Sequence, residues 1–251
     1  IDYDSNNSDI NVDKFNMISS FKAHDMGITQ INLHPLKNII CTTSDDRCFK
    51  LWYINDNGNN NELIMTGIGH KDFITSSSFN NNGNILVTGS GDNTIKLWDF
   101  KKQDCVLTFD DHKQVVWNVD FNKYYNNFMI SCSMDHTIKL FDINKYNNNC
   151  IQTYRGHVDS INYACFQNNT NNICSVSSDK TISFWDIKTG LCIQTLYGHN
   201  NSINHVNFNH NNNKIISCDS DGVCIIWDIR MIKKLLTINT SNKILNSCNN
   251  I

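Results

Sequence analysis

Long apolar runs are missing from this chain: nothing in it approaches the roughly 20 consecutive residues that carry a helix across a bilayer. Basic excess is missing too. Lys and Arg total 21 against 24 Asp and Glu, a formal net charge of −3, which leaves no electrostatic footprint for nucleic acid or anionic lipid. Cys-x-x-Cys pairs are absent although there are 11 cysteines. An odd count without close pairs argues against both a disulfide framework and a zinc cluster. Proline occurs once, at Pro35, in a segment that reads as a turn, where its missing N–H costs nothing. Neither a membrane protein, nor a nucleic-acid binder, nor a disulfide-stapled domain fits this inventory.

What the chain has is a repeat. His24, His70, His112, His157 and His199 are each followed 28 or 29 residues later by an aromatic closing an apolar run: Trp52, Trp98, Phe141, Trp185 and Trp227. Successive aromatics lie 46, 43, 44 and 42 residues apart. A period of about 40–45 residues with a Gly-His opening and a Trp-Asp close marks a four-stranded propeller blade. Between His and aromatic the pattern alternates with period two, as half-buried strands require. Four residues after each His stand Ile28, Ile74, Val116, Ile161 and Ile203. Nine residues after it stand Leu33, Phe79, Phe121, Phe166 and Phe208. Both sets are expected on the innermost strand, packed between neighbouring blades. Asn-rich runs such as 59–61, 147–149 and 211–213 fall between strands, where Asn tolerates left-handed backbone. They read as loop expansion, and Asn-x-Ser/Thr triplets such as Asn168 to Thr170 as chance products of composition. Cys105, Cys150 and Cys192 each precede a repeat His by seven residues. Equivalent positions in separate blades cannot converge on one ion, so the cysteines read as buried or half-buried thiols of a reducing cytosol.

Each repeat also carries an Asp six residues before its aromatic (Asp46, Asp92, Asp135, Asp179, Asp221) and a hydroxyl four residues before that Asp (Thr42, Thr88, Ser131, Ser175, Ser217). A buried His or hydroxyl must find partners, since an orphaned one costs more than the roughly 1 kcal/mol that a satisfied bond nets. The four groups therefore read as a structural hydrogen-bonded tetrad. An Asp–His–Ser set also suggests a catalytic triad. A nucleophile needs exposure and an oxyanion hole and would not be copied into every repeat, so catalysis is set aside. Thr88-Gly89-Ser90-Gly91-Asp92 resembles a phosphate loop only superficially, because no helix follows it. The remaining histidines His34, His136, His205 and His210 are scattered; no metal site and no cofactor emerge.

These residues resemble the WD-repeat family, whose all-β propeller fold the resemblance implies over about 15–238. Repeats fall at about 22–54, 68–100, 110–143, 155–187 and 197–229, with a partial sixth at 234–251 and an acidic, disordered lead-in at 1–14. A narrower likeness rests on four stretches. They are Asp104-Cys105-Val106-Leu107-Thr108-Phe109, Leu196-Tyr197-Gly198-His199 with Ser202-Ile203-Asn204, Ser217-Cys218-Asp219-Ser220-Asp221-Gly222-Val223 with Trp227-Asp228, and Gly67-Ile68-Gly69-His70 after His34-Pro35. They are similar to the sperm-associated antigen sixteen type of central-pair WD-repeat protein. That likeness implies a seven-bladed ring, of which five complete blades are present here, and an axonemal scaffold. Phe141 in place of Trp, and Asp110-Asp111-His112 in place of Gly-His, set the third repeat apart.

A rigid ring with no chemistry left over is a binding platform, so a non-enzymatic interaction module with protein partners is expected, in the cytoplasm or the flagellar axoneme. The alternatives are a cytosolic adaptor (a microtubule-severing regulatory subunit or a ubiquitin-ligase substrate receptor) and, from another class, a propeller hydrolase. Loops after the repeat His and before the repeat Asp should open onto one face around the channel. Asp45, Lys71, Phe73, Lys113, Val115, Trp117, Met134, Ser160, Ser178 and Ser202 are the partner-binding candidates there. Phe73, Val115, Trp117 and Met134 stand out, because aromatic and Met side chains are enriched at interface anchors.

Overall fold

The computed structural model describes residues 20–55, 61–125, 127–145, 150–167, 170 and 172–240. The acidic lead-in at 1–14 and residues 241–251 of the partial sixth repeat lie outside the described residues. Among the described residues, twenty strands form five sheets. The first holds β1 (Ile28–Leu33), β2 (Ile39–Ser44), β3 (Cys48–Tyr53) and β4 (Glu62–Ile68). The second holds β5 (Ile74–Phe79), β6 (Ile85–Ser90), β7 (Ile95–Asp99) and β8 (Asp104–Phe109). The third holds β9 (Val116–Phe121), β10 (Phe128–Ser133), β11 (Thr137–Asp142) and β12 (Gln152–Arg155). The fourth holds β13 (Ile161–Phe166), β14 (Asn172–Ser177), β15 (Thr181–Asp186) and β16 (Cys192–Tyr197). The fifth holds β17 (Ile203–Phe208), β18 (Lys214–Asp219), β19 (Val223–Asp228) and β20 (Lys233–Asn239). Every sheet is an antiparallel meander with strands in chain order. No described helix is long and apolar enough to cross a membrane.

The turn joining the second and third strands explains why each sheet can be so regular. Arg47, Asn93, His136, Lys180 and Gly222 take the left-handed backbone there, with φ between 64° and 76°. Inner strands carry the second regularity, a bulge. Register slips between Ile28 and Gln30, Ile74 and Ser76, Ile161 and Tyr163, and Ile203 and His205; in the third sheet the slip lies opposite Val116. The displaced residues are Thr29, Thr75, Trp117, Asn162 and Asn204. A bulge re-aims a side chain out of the ladder, and four of these use the freedom to tie adjacent sheets, Trp117 through its indole N–H to Ser160 Oγ at 3.0 Å and the other three through backbone carbonyls. Thr29 Oγ1 donates to Ile74 O at 2.6 Å, Thr75 Oγ1 to Val116 O at 2.6 Å, and Asn162 Nδ2 to Ile203 O at 2.8 Å.

The core lies between sheets. Ile203, Val206, Ile215 and Trp227 of the fifth pack on Cys174, Val176, Ile182, Phe184 and Leu196 of the fourth, and like clusters join the other neighbours. A buried carboxylate joins three of them: Asp120 of β9 accepts Phe166 N–H at 3.1 Å and Ser78 Oγ–H at 3.4 Å. Burial pushes it up to about 6 against those bonds. Two sequence expectations fail here. Ile28, Ile31 and Leu33 of β1 are 47%, 56% and 76% exposed, whereas Ile74 and Ile203 are fully buried; no described sheet covers that side of the first blade. Cys192 is exposed on the outermost strand of its sheet, where Cys105 of the second sheet is half-buried. No disulfide joins the ten described cysteines.

Equivalent isoleucines in different surroundings give a direct test. Ile74→Ala should cost about 2–5 kcal/mol in urea unfolding, the usual price of a buried truncation. Ile28→Ala should cost under about 1 kcal/mol. Equal losses would show that the first face is covered in solution.

Candidate functional site

Each sheet holds its repeat His where the loop entering the inner strand meets the turn between the second and third strands. The ring is buried, so both nitrogens need partners. Nδ1 faces a carboxylate: Asp46 at 2.8 Å, Asp92 at 3.0 Å, Asp135 at 2.9 Å and Asp179 at 2.7 Å. A carboxylate only accepts, so Nδ1 carries the hydrogen, and Nε2 faces a hydroxyl. The hydroxyls stand there: Thr42, Thr88, Ser131, Ser175 and Ser217, at 2.6–2.8 Å. Indole N–H groups of Trp52, Trp98, Trp185 and Trp227 donate to four of those oxygens at 2.8–3.0 Å. Phe141 supplies none to Ser131. Its ring fills the place instead, fully buried and 4.9 Å from that of Phe109.

Electrostatics follow from this wiring. Burial pushes the Asp46 carboxyl up, but hydrogen bonds from Cys48 and His24 outweigh it and hold it at about 2. Asp92, Asp135 and Asp179 feel the same opposition and end well below the usual carboxylate range, with His70, His112 and His157 the leading donors. His199 is lowered by burial despite its carboxylate.

In the fifth sheet the carboxylate is not Asp221. Asp219 reaches His199 Nδ1 at 2.9 Å, while the exposed Asp221 accepts from the half-buried Asn201 amide. Asp219 ends β18, where the other sheets have Ser44, Ser90, Ser133 and Ser177. Those serines accept the N–H of the following Asp. Asp219 does that for Asp221, takes the Val223 N–H as well, and still reaches the ring. One carboxylate two residues earlier performs both tasks, which frees Asp221.

The first sheet departs differently. Cys48 stands where Thr94, Thr137 and Thr181 donate to the tetrad carboxylate, and its thiol lies 2.8 Å from Asp46 Oδ1 and 3.8 Å from His24 Nδ1. Sequence spacing had not grouped these three metal-ligand types. Burial and the Asp46 carboxylate push the thiol up to about 12, so in this arrangement it donates as the threonines do.

None of the five hydroxyls is more than 2% exposed. With Oγ sealed beneath His and, in four sheets, indole, these Asp–His–hydroxyl sets hold strands together and have no route to a substrate. Exposed functionality lies instead where the five inner strands converge on a cavity of about 940 Å³. Of the candidates, Asp45, Phe73, Trp117, Ser178 and Ser202 line it. Lys71, Lys113, Val115, Met134 and Ser160 do not. Lys71 and Lys113 lend backbone N–H groups to Asp92 and Asp135, Val115 accepts from the backbone of the 45% exposed Met134, and Ser160 accepts the Trp117 indole N–H at 3.0 Å. Trp117 is thus an inter-sheet tie as well as a cavity wall. Gly91 leaves room for the Phe73 ring, which an added Cβ would meet at 2.5 Å. Tyr163 and His205, unforeseen from the sequence, meet in the wall with ring centroids 4.0 Å apart and planes tilted by 42°. Both stand just after an inner-strand bulge, a position that the spacing of the sequence does not mark. Burial pushes His205 down to about 4.

Five four-stranded meanders around a common cavity, each closed by an Asp–His–hydroxyl chain, define a β-propeller-blade protein. Matches to the family described as WD domain, G-beta repeat, cover 15–53, 61–99, 103–142, 148–186 and 190–228, so the chain belongs to that family. It is 37% identical to the nuclear distribution protein nudF of Aspergillus niger over 123 residues, and 34% identical to the nuclear distribution protein PAC1 of Arthroderma otae over 131. Each match covers 48% of this chain and 28% of the relative. It is 26% identical to mouse pre-mRNA-processing factor 17 over 173 residues, 67% of this chain and 29% of that one. The matches thus span less than a third of each relative's length.

Two measurements check the site. Asp219→Ala should destabilise by about 1–3 kcal/mol by orphaning a buried imidazole, and Asp221→Ala by no more than about 0.5 kcal/mol; the reverse order would restore Asp221 to the tetrad. For pH, His205 has a folded pKa below its unfolded value. Its contribution is therefore whole above about 6.5 and is lost as pH falls toward about 4. His205→Phe should flatten the fall in stability across that window, on the order of 3 kcal/mol in wild type. An unchanged slope would mean that the imidazole is solvated.

Proposed function

We propose that this chain is a non-catalytic protein-interaction scaffold that receives a partner protein at the channel face. The observation carrying this is the convergence of Phe73, Trp117 and Tyr163 with a polar rim (Asp45, Ser178, Ser202) on one cavity, while the histidines and hydroxyls that could do chemistry are consumed inside the sheets. Aromatic anchors ringed by polar groups fit a protein surface. Further blades beside the open face of β1 would complete the ring. The finer reading is a structural or assembly component of the flagellar central apparatus, in the cytoplasm and axoneme, supported by the stretches around Asp104, Leu196 and Ser217. A second reading, a cytosolic adaptor, is favoured by the relatives named as nuclear distribution proteins.

A photo-crosslinking residue at Phe73 in tagged chain expressed in flagellate cells should yield protein adducts, and one at the exposed outer-strand position Leu235 should yield few. Equal yields would remove the channel face as the docking site. Localisation separates the finer readings: axonemal staining supports the central-apparatus scaffold, and diffuse cytosol supports the adaptor.

A further inference from the structure

We infer that Cys218 and Cys224 form a reversible thiol–disulfide couple within the fifth sheet. The two are register partners on β18 and β19, and their sulfurs lie 3.1 Å apart, about 1 Å beyond the ~2.05 Å of a disulfide bond. The equivalent pairs in the other four sheets are Thr43 with Phe49, Gly89 with Ile95, Cys132 with Ile138, and Val176 with Ile182. Two facing sulfurs are thus special to this sheet, and the strand register already holds them within about 1 Å of bonding distance.

Access comes from the edge. Cys218 and Cys224 are 2% and 5% exposed, and they belong to none of the clusters that pack one sheet on another. The strand beside β19 is β20, an edge strand exposed along its whole length. Weakly covered edges open locally at low cost, which admits a small oxidant. With a low-molecular-weight disulfide such as oxidised glutathione, one cysteine thiolate attacks a sulfur of the oxidant and expels one small thiol, leaving a mixed disulfide. The second thiolate then attacks the protein-side sulfur and expels the other small thiol. The protein loses two protons and two electrons and gains one S–S bond, while the oxidant is reduced to two thiols. A loop this short yields little chain entropy on closure, which favours a bridge that glutathione can reopen.

The consequence is local and specific. The bridge would staple the base of the turn at 219–223, whose Asp219 holds His199 and whose Ser220 N–H donates to Ser202 O on the channel face. Oxidation therefore acts on the one tetrad whose carboxylate comes from the strand end.

The full chain should be equilibrated over a series of reduced-to-oxidised glutathione ratios, quenched with an alkylating agent, digested and weighed. The expected result is loss of two hydrogens from the pair Cys218 and Cys224, reversed by added reduced glutathione. Exposed Cys192 should show mixed disulfide only. Cys218→Val and Cys224→Ile, which copy the residues at 176 and 182, should each abolish the two-hydrogen loss and leave the remaining cysteine alkylated or glutathionylated. Full alkylation of Cys218 and Cys224 at ratios that already modify Cys192 overturns the inference. So does persistence of the two-hydrogen loss in either variant. Should one variant fold poorly, the other carries the comparison.

Discussion

A buried imidazole cannot be left half-satisfied, and that constraint organises every sheet of this protein. Its Nδ1–H needs an anion and its Nε2 needs a donor. The anion comes from the end of the second strand or the turn after it, the donor from the middle of that strand. Meeting both demands pins the loop before the inner strand to a turn some 20 residues away in sequence. Once that closure is made, the lengths of the first two strands are bounded and their bulge falls near the channel. The indole that completes four of the chains belongs to the third strand, so a single chain of bonds spans three strands. Charge assistance at the carboxylate end makes these bonds stronger than neutral ones, as the depressed Asp46 carboxyl shows.

The arrangement also explains why the molecule can tolerate departures. Neighbouring sheets meet through apolar contacts and a few side-chain-to-carbonyl bonds from the bulges, so a defect in one tetrad stays in its sheet. Phe141 removes one donor from Ser131 and leaves a closely packed ring in its place. Cys48 takes over a threonine's donation without moving Asp46. Asp219 absorbs a serine's role together with an aspartate's. In each case the demand of the imidazole is met by different atoms.

Sheet order, strand positions and the His, hydroxyl and indole members of the tetrads could be read from spacing, because those features recur in five copies and periodicity averages out local accidents. The fifth carboxylate was misread for the same reason. Asp221 sits at the periodic position, and in the turn itself it does match Asp46, Asp92, Asp135 and Asp179, each followed by the left-handed residue. Only the three-dimensional reach of Asp219 distinguishes them. The apolar face of β1 was misread because alternation shows which side of a strand is apolar and says nothing about whether a neighbour covers it. Tyr163 and His205 were invisible because nothing about their spacing marks a bulge.

Individual character therefore resides where the repeat is broken. Positions bound by the tetrad have latitude only where other atoms meet the demand of the imidazole, since any other change orphans a buried group. The residues displaced by the bulges and those just after them have only to join neighbouring sheets and line the cavity, so they vary: Thr29 and Thr75 tie sheets by hydroxyls, Asn162 by an amide, and Trp117 by an indole that reaches Ser160 across the gap. The larger the side chain used for this tie, the more of it remains on the cavity wall. Trp117 thus contributes aromatic surface to the channel as a by-product of holding the third and fourth sheets together. If the proposed docking at that face holds, recognition and cohesion between the sheets are coupled through the same atoms, and a partner engaging Trp117 would read the geometry between two blades and not the surface of either one alone.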